Sequence, residues 1–465
     1  MTAFANKDKI KDALCAFFEG RYYPPVVCIL VLLGYFTGGE LIFGSINVLL
    51  FSLSLLIVDN ARHTLIFGAT FLYQISPGHA PTVPARSEYF FEGAHPYIVA
   101  FLAVSLIGSC VFYAIRTKAY LEFRISRCPL IGYMLLLSVA FILNGLFSET
   151  STIMDFLLGT AEAVGYFFFF AVFYFGFRGS GLKRIDSYFC YCTLWIAAVI
   201  LIQMALLYMT GDVFRDDGAI NINAIVLGWG VSTVIGASLC VLIPILFYGA
   251  MRRRYPVVYI VMATLVLLAS FFSMSRTALG VSALFFFISM VIGCFFGERK
   301  TMFQIAAIAM LLIAIVTVIG YYEDVYRLFA VYFEKGLKTT GRLELWKKCV
   351  DGFFDNPLLG KGFFGLGLGE SVSHFAHNTI LQMLGACGAF GLVAYLLYRI
   401  ETAFMFIKNP SLFKTMLGVS AAALVVASLL DIFLFSFFSM IYHSALLALA
   451  AIMNRDEIHD ISSIR

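Results

Sequence analysis

The chain has 465 residues, of which 61% are hydrophobic and only 13% are charged, and 49 are phenylalanine. Soluble globular domains carry about 25% charged residues, so this composition excludes that class and predicts a protein that crosses a membrane many times. The net charge of +4 is small for this length and gives no reason to expect a nucleic-acid partner.

Fourteen apolar segments follow one another along the chain. A bilayer core requires about 20 apolar residues per helix, and most of the segments approach that length. An alternative pairs the second and third of them as one re-entrant unit, so we predict an all-α, polytopic membrane helix bundle of about 12–14 spans. The segments are 24–40, 41–58, 62–75, 96–115, 129–147, 153–176, 186–210, 222–249, 256–273, 276–297, 302–321, 377–399, 412–432 and 434–453.

The polar residues divide the chain into four regions. Long loops between spans are more often functional than mere connections, and one long polar loop stands out. The predicted regions are N-terminal transmembrane helices in 1–210, central transmembrane helices in 211–321, a large extracytoplasmic loop in 322–376, and C-terminal transmembrane helices with a cytoplasmic tail in 377–465.

The positions of lysine and arginine predict the orientation. When the N-terminus is placed inside, 22 of the 32 basic residues fall in cytoplasmic segments, and short external loops are nearly free of them. We therefore predict two cytoplasmic termini and an external 322–376 loop. The first 20 residues lack an apolar h-region, so no removable signal peptide is predicted.

Two arginines precede the long loop on the predicted outer side. Arg276 lies in SMSRTALG at 273–280, between two spans, and Arg215 lies in the external segment GDVFRDDGAIN at 211–221. A charge at membrane depth is costly and usually functional. We therefore treat Arg276 as a candidate site residue, whereas Arg215 is a weaker candidate.

The long loop holds further candidates. Arg342 and Trp346 are four residues apart and would share a helical face. The run DNPLLGKG at 355–362 is a turn signal. His374, His377 and Asn378 stand where the next span begins, while Gly385, Gly388 and Gly391 predict tight helix packing.

Alternative interpretations stay open for several of these residues. The two histidines could be interfacial groups, and no third ligand at a motif spacing accompanies them, so no metal is predicted. The apolar spans contain Asp155, Glu162, Asp431 and His443, which either form a proton relay or pair with neighbouring spans. A pocket with several arginines and a histidine suits an anionic, lipid-carried substrate, because arginine binds pyrophosphate through two hydrogen bonds.

Three motifs around this loop resemble the O-antigen ligase/polymerase family of bacterial envelope glycosyltransferases. They are RLELW at 342–346, DNPLLGKGFFG at 355–365 and HNTILQMLGACGAFG at 377–391; SMSRTALG resembles the family's Ser-Arg segment, and GAININAIVLGWG at 218–230 is similar more weakly. The likeness extends from residue 215 to residue 400.

The resemblance implies a GT-C-like, metal-independent, inverting glycosyltransferase that needs no cofactor. Its partners would be an undecaprenyl pyrophosphate-linked glycan, membrane lipids and other polysaccharide-assembly proteins, in the bacterial cytoplasmic (inner) membrane. By the same resemblance, His377 is the catalytic base, and Arg276, Arg342 and Arg215 bind the pyrophosphate.

Two questions remain open at this level. A polymerase joins repeat units on lipid carriers, whereas a ligase moves the finished glycan to another acceptor, and the sequence favours polymerase only slightly. A transporter or flippase of the same lipid-linked oligosaccharide is the alternative from a different class. It would favour two related halves and charges along an internal cavity, neither of which the sequence shows.

Overall fold

The structure is a computed structural model of the chain. It describes residues 2–74, 93–147, 153–178, 185–211, 213–214, 220–228, 230–323, 326, 342–363, 366, 376–431 and 437–462.

The described residues form sixteen α-helices and one two-stranded hairpin, so the prediction of an all-α membrane bundle is confirmed. In chain order the elements are α1 (Thr2–Phe18), α2 (Tyr23–Thr37), α3 (Glu40–Ile57), α4 (Thr64–Gln74), α5 (His95–Arg116), α6 (Leu130–Phe147), α7 (Ile153–Phe177), α8 (Ile185–Met209), β1 (Val226–Leu227), β2 (Gly230–Val231), α9 (Ser232–Arg252), α10 (Pro256–Phe272), α11 (Arg276–Phe296), α12 (Lys300–Gly320), α13 (Arg342–Asp355), α14 (Thr379–Ile407), α15 (Leu412–Leu430) and α16 (Phe437–Ser462).

Ten of the described helices are long and apolar enough to cross a membrane, or up to 11 when the bent pair α1–α2 is counted as one span. Two shorter apolar helices, Pro256–Phe272 and Met440–Asn454, connect opposite ends of the bundle. The chain is a multi-pass membrane protein.

Helix α9 lies at the centre of the bundle, with nearly every residue buried. Small residues allow its neighbours to approach closely. A Cβ added at Gly236 would meet Ala278 of α11, and one added at Gly249 would meet the ring of Tyr259 of α10. By contrast, α12 is almost wholly exposed on the surface of the bundle.

The contacts define two ends of the bundle. Tyr248, near the end of α9, packs against Phe413, near the start of α15, with ring centroids 4.8 Å apart, so these helices are antiparallel. The starts of α9, α11 and α14 and the end of α15 therefore share one end, which we name the site end. The other, basic end holds the ion pairs Arg252–Glu298 and Arg253–Asp186.

Helix α14 is broken at Gly388, whose φ of 63° and ψ of −163° are not helical. Four backbone groups on the two sides of the break form hydrogen bonds with residues 357–362. The N–H groups of Lys361 and Gly362 donate to the carbonyls of residues 385 and 386, and the carbonyls of residues 357 and 358 accept from the N–H groups of residues 389 and 390, at 2.8–3.1 Å. Non-helical backbone at such a place requires these partners.

The break refines two predictions. The turn predicted at DNPLLGKG is present, with positive φ at Gly360 and Gly362, and we name residues 356–362 the crossing loop. The glycine seam is only partly present. Gly385 packs on Cys349 of α13, but Gly388 interrupts the helix instead of lining a helix contact.

Two predicted span boundaries were wrong. Residues 222–228 and 230–231 form a 3₁₀ turn and the β1–β2 hairpin, where Gly228 adopts a φ of 58°, so the span begins only at Ser232. Helix α14 continues to Ile407 beyond the predicted end at 399. Arg399 therefore lies within α14 and not after its end, with Nη1 3.0 Å from Nε2 of His443.

Candidate active site at the end of helix α15

The first residue of α13 attaches that helix to the end of α15. Arg342 Nη1 donates to the carbonyl oxygen of Leu430 at 2.8 Å. One turn later, Trp346 Nε1 donates to the carbonyl of Ala376 at 2.8 Å. The predicted shared face of these two residues is therefore present, and it holds α13 against both α15 and the turn before α14.

The turn before α14 is fixed by side chains as well. Asn378 is the N-cap of α14, and its Oδ1 accepts from the N–H of Leu381 at 3.0 Å, which satisfies one of the helix's unpaired donors. Its Nδ2 donates to the carbonyl of Leu429 at 3.0 Å. Gln382 Oε1 accepts from the N–H of Ala376 at 2.7 Å. The position of His377 in this turn is thus fixed from both sides.

His377 pairs with the carboxylate of Asp431, a residue whose role was left open between a proton relay and a pair with a neighbouring span. Its Nδ1 lies 2.8 Å from Oδ1 of Asp431, the residue directly after α15. The Asp431 side chain is 4% exposed, whereas that of His377 is 37% exposed. Because a carboxylate only accepts, Nδ1 carries the hydrogen, and the lone pair of a neutral ring is then on Nε2. This is the arrangement of a histidine oriented to accept a proton.

The backbone has a positive φ at His377 and also two residues before Arg276. His377 has a φ of 51°, and Met274, two residues before Arg276, has a φ of 57°. Such conformations cost on the order of 1–3 kcal/mol in non-glycine residues and are concentrated at functional sites. They mark the two turns at the site end as constrained parts of the fold.

Arg276 is the first residue of α11, at the site end, and its side chain is exposed. Ser275 caps the helix by accepting from the N–H of Ala278 at 3.3 Å. Helix α11 packs against α15, whose end carries Asp431. The structure therefore places Arg276 at the same end of the bundle as His377, and its reach toward residues 342–377 stays a prediction.

The structure brings together His377, Asn378, Arg342 and Trp346 around the last residues of α15. Two predicted residues, Arg215 and His374, lie outside the described residues. Asp431 was the residue that sequence reasoning did not assign. In the sequence, Asp431 stands out only as an acidic residue that directly follows the apolar run SAAALVVASLL at 420–430.

The site end suits a polyanion. Helix N-termini carry partial positive charge and bind phosphate groups, and α11 and α14 both begin at this end. Arg276 and Arg342 add two full charges.

In the described part of the chain, His, Cys, Asp and Glu nowhere form a group of three that could hold a metal ion. Cys349 of α13 is buried, and burial raises the pKa of its thiol to about 12, so it stays protonated and is a poor nucleophile.

The comparison with known families assigns the region around this site. A sequence model described as O-antigen ligase matches residues 260–396. Over residues 260–396 the chain is therefore similar to the O-antigen ligase family. This O-antigen ligase region runs from α10 to the middle of α14, so it includes Arg276, Arg342 and His377, whereas Asp431 lies beyond its end. No curated protein matches the chain.

The similarity of this region to the O-antigen ligase family supports a glycosyl-transferring membrane enzyme of polysaccharide assembly. The resemblance drawn from the motifs is confirmed for the matched region. The roles of its individual residues are proposals.

Proposed function

We propose that the protein is a membrane glycosyltransferase that moves a glycan from an undecaprenyl pyrophosphate-linked donor to an acceptor hydroxyl in cell-surface polysaccharide assembly. The observation that carries the proposal is the contact between His377 Nδ1 and Asp431 Oδ1, at 2.8 Å. Because the buried carboxylate of Asp431 contacts Nδ1, Nε2 of the partly exposed His377 ring is the nitrogen that can contact a substrate.

In the proposed reaction, His377 Nε2 accepts the proton of the acceptor hydroxyl as that oxygen attacks the anomeric carbon. The bond from this carbon to the pyrophosphate oxygen breaks, and its electron pair leaves with the pyrophosphate. Attack opposite the leaving group inverts the anomeric centre. Asp431 orients the imidazole and stabilises the imidazolium that forms.

The charge of the pyrophosphate leaving group accounts for the role that we propose for the arginines. Negative charge develops on the pyrophosphate, and fixed positive groups at that position lower the barrier. We assign this role to Arg276, Arg342 and Arg215. Arg342 already donates from Nη1 to Leu430, which fixes the guanidinium in place before the substrate arrives. The proposed reaction needs neither a metal nor a cofactor.

We also propose the bacterial cytoplasmic membrane as the location, with both termini inside. The basic end, where Arg252, Arg253 and Arg299 lie, would face the cytoplasm, in accordance with the positive-inside rule. The site end would face outward, where lipid-linked glycans are assembled into polymers.

Product formation by the purified protein tests the proposal. The assay contains an undecaprenyl pyrophosphate-linked donor, EDTA and no divalent metal. We expect product with the wild type and a rate lower by about 10² or more for His377→Ala, the usual effect of losing a general base. His374→Ala should have a milder effect. A near-normal His377→Ala rate, or a wild type inactive in EDTA, would overturn the mechanism.

The same assay separates the remaining alternatives. A polymerase elongates the lipid-linked donor alone, whereas a ligase requires a second acceptor. A transporter or flippase would give no glycan product in detergent but would move the lipid-linked donor across a vesicle membrane.

A further inference from the structure

A cavity of about 330 Å³ lies at the basic end, far from His377. It is formed by the segment that leads into α6, the end of α14 and the end of the apolar part of α16. Asn454 closes one side, where its Nδ2 donates to the carbonyl of Met405 at 2.9 Å. The volume lies within the range of about 300–1,000 Å³ that is typical of ligand pockets.

Three charged side chains line this cavity: Arg127, Glu401 and Lys408. Arg127 and Lys408 are exposed, whereas Glu401 is half-buried. None of the three side chains makes a hydrogen bond or an ion pair with the residues that the structure describes. The cavity therefore offers two cations and one anion that the fold itself does not use.

A neighbouring lysine already neutralises the end of α14. The last carbonyls of a helix attract cations, and the buried Lys414 fills this role. Its Nζ donates to the carbonyls of Lys408 and Asn409 and to Oδ1 of Asn454. Arg127 and Lys408 are thus not needed to cap the helix, and both residues line the cavity.

The remainder of the lining is apolar. Leu130 and Met405 form a buried floor. Phe404 and Ile407, which are 63% and 69% exposed, continue the cavity wall onto the outer surface of the bundle. Charged groups at a rim with apolar surface beside them suit an amphiphile whose head is anionic and whose tail lies along the protein in the membrane.

We propose that this cavity binds the headgroup of an anionic glycerophospholipid of the surrounding leaflet. The phosphate lies between Arg127 and Lys408, and a headgroup hydroxyl donates to Glu401. A free phosphate ester has the same anionic chemistry but lacks the acyl chains that would cover Phe404 and Ile407. The inference is independent of the proposed glycosyl transfer, because none of these residues lies at the site end.

Native mass spectrometry of the delipidated, full-length protein tests this site. Phosphatidylglycerol, phosphatidylcholine and glycerol 3-phosphate are titrated separately. We expect one phosphatidylglycerol to bind more tightly than either of the other two. Arg127→Gln with Lys408→Gln should weaken it about 25-fold, because each cation near a phosphate contributes about fivefold. In a further titration with phosphatidic acid, which has no headgroup hydroxyl, Glu401→Gln should reduce the preference for phosphatidylglycerol over phosphatidic acid.

The matched control removes the same charge outside the cavity. Lys118 and Arg124 are exposed at the same end of the bundle, and Lys118→Gln with Arg124→Gln should leave binding within about twofold of the wild type. Equal weakening by both double variants would overturn the proposal in favour of diffuse surface charge. Glycerol 3-phosphate that binds as tightly as the lipid would overturn it in favour of a free phosphate site. If the cavity double variant is unstable, Arg127→Gln alone should weaken binding about fivefold.

Discussion

Gly360 and Gly388 lie against each other where the crossing loop passes the break in α14. A Cβ added at Gly388 would lie 2.7 Å from the backbone nitrogen of Gly360 and 2.5 Å from the carbonyl of Leu358. No side chain fits this contact. The approach brings the backbone of the crossing loop into hydrogen-bonding range of α14 and so connects the segment that follows α13 to the broken helix.

This contact predicts that Gly388→Ala destabilises the protein. The backbone conformation at Gly388 is one that non-glycine residues adopt at a cost of about 1–3 kcal/mol, and the new methyl group also meets backbone atoms. The melting temperature of the purified protein in detergent should fall. Gly280→Ala in α11 is the control, because a Cβ there meets nothing within 4 Å. An unchanged melting temperature for Gly388→Ala would contradict the described break.

The His377–Asp431 contact predicts that Asp431→Asn inactivates the enzyme without unfolding it. An amide keeps the shape of the carboxyl group but lacks the charge that stabilises the imidazolium, so product formation should fall by about 10² or more. Asp351→Asn makes the same change at an exposed position of α13 and should leave the rate unchanged. If both variants work equally well, Asp431 does not assist His377.

Arg276 is predicted to bind the pyrophosphate through two parallel hydrogen bonds. Lysine keeps the charge but cannot form that pair, so Arg276→Lys should retain membrane insertion and lose more than about tenfold in rate. Arg254→Lys changes an exposed arginine at the basic end and should have no effect on product formation. Full activity of Arg276→Lys would remove the proposed role.

The orientation of the bundle can be measured with reporter fusions. Alkaline phosphatase should be active when fused after Lys338 and inactive when fused after Arg465, because the charge distribution places these points on opposite sides. A fluorescent protein that folds only in the cytoplasm should give the reverse pattern. Two fusions that report the same side would show the topology to be wrong.

Local properties of the sequence predicted the class of protein and most of the candidate residues. Hydropathy marked the apolar helices because a bilayer core excludes unpaired polar backbone whatever the tertiary arrangement. The order Pro357, Gly360, Gly362 predicted a turn, and His377-Asn378 marked a helix start, because capping and turn formation depend on neighbours only a few residues away.

The partner of His377 was decided only by the tertiary structure. Asp431 is 54 residues further along the chain, and the antiparallel packing of α14 and α15 brings the start of one helix to the end of the other. The same packing gives Arg342 and Asn378 the carbonyls of Leu430 and Leu429. Nothing in the spacing of these residues indicates such contacts, because they depend on which helices are neighbours. The break at Gly388 likewise needs the crossing loop, whose backbone replaces the helical hydrogen bonds that the break removes.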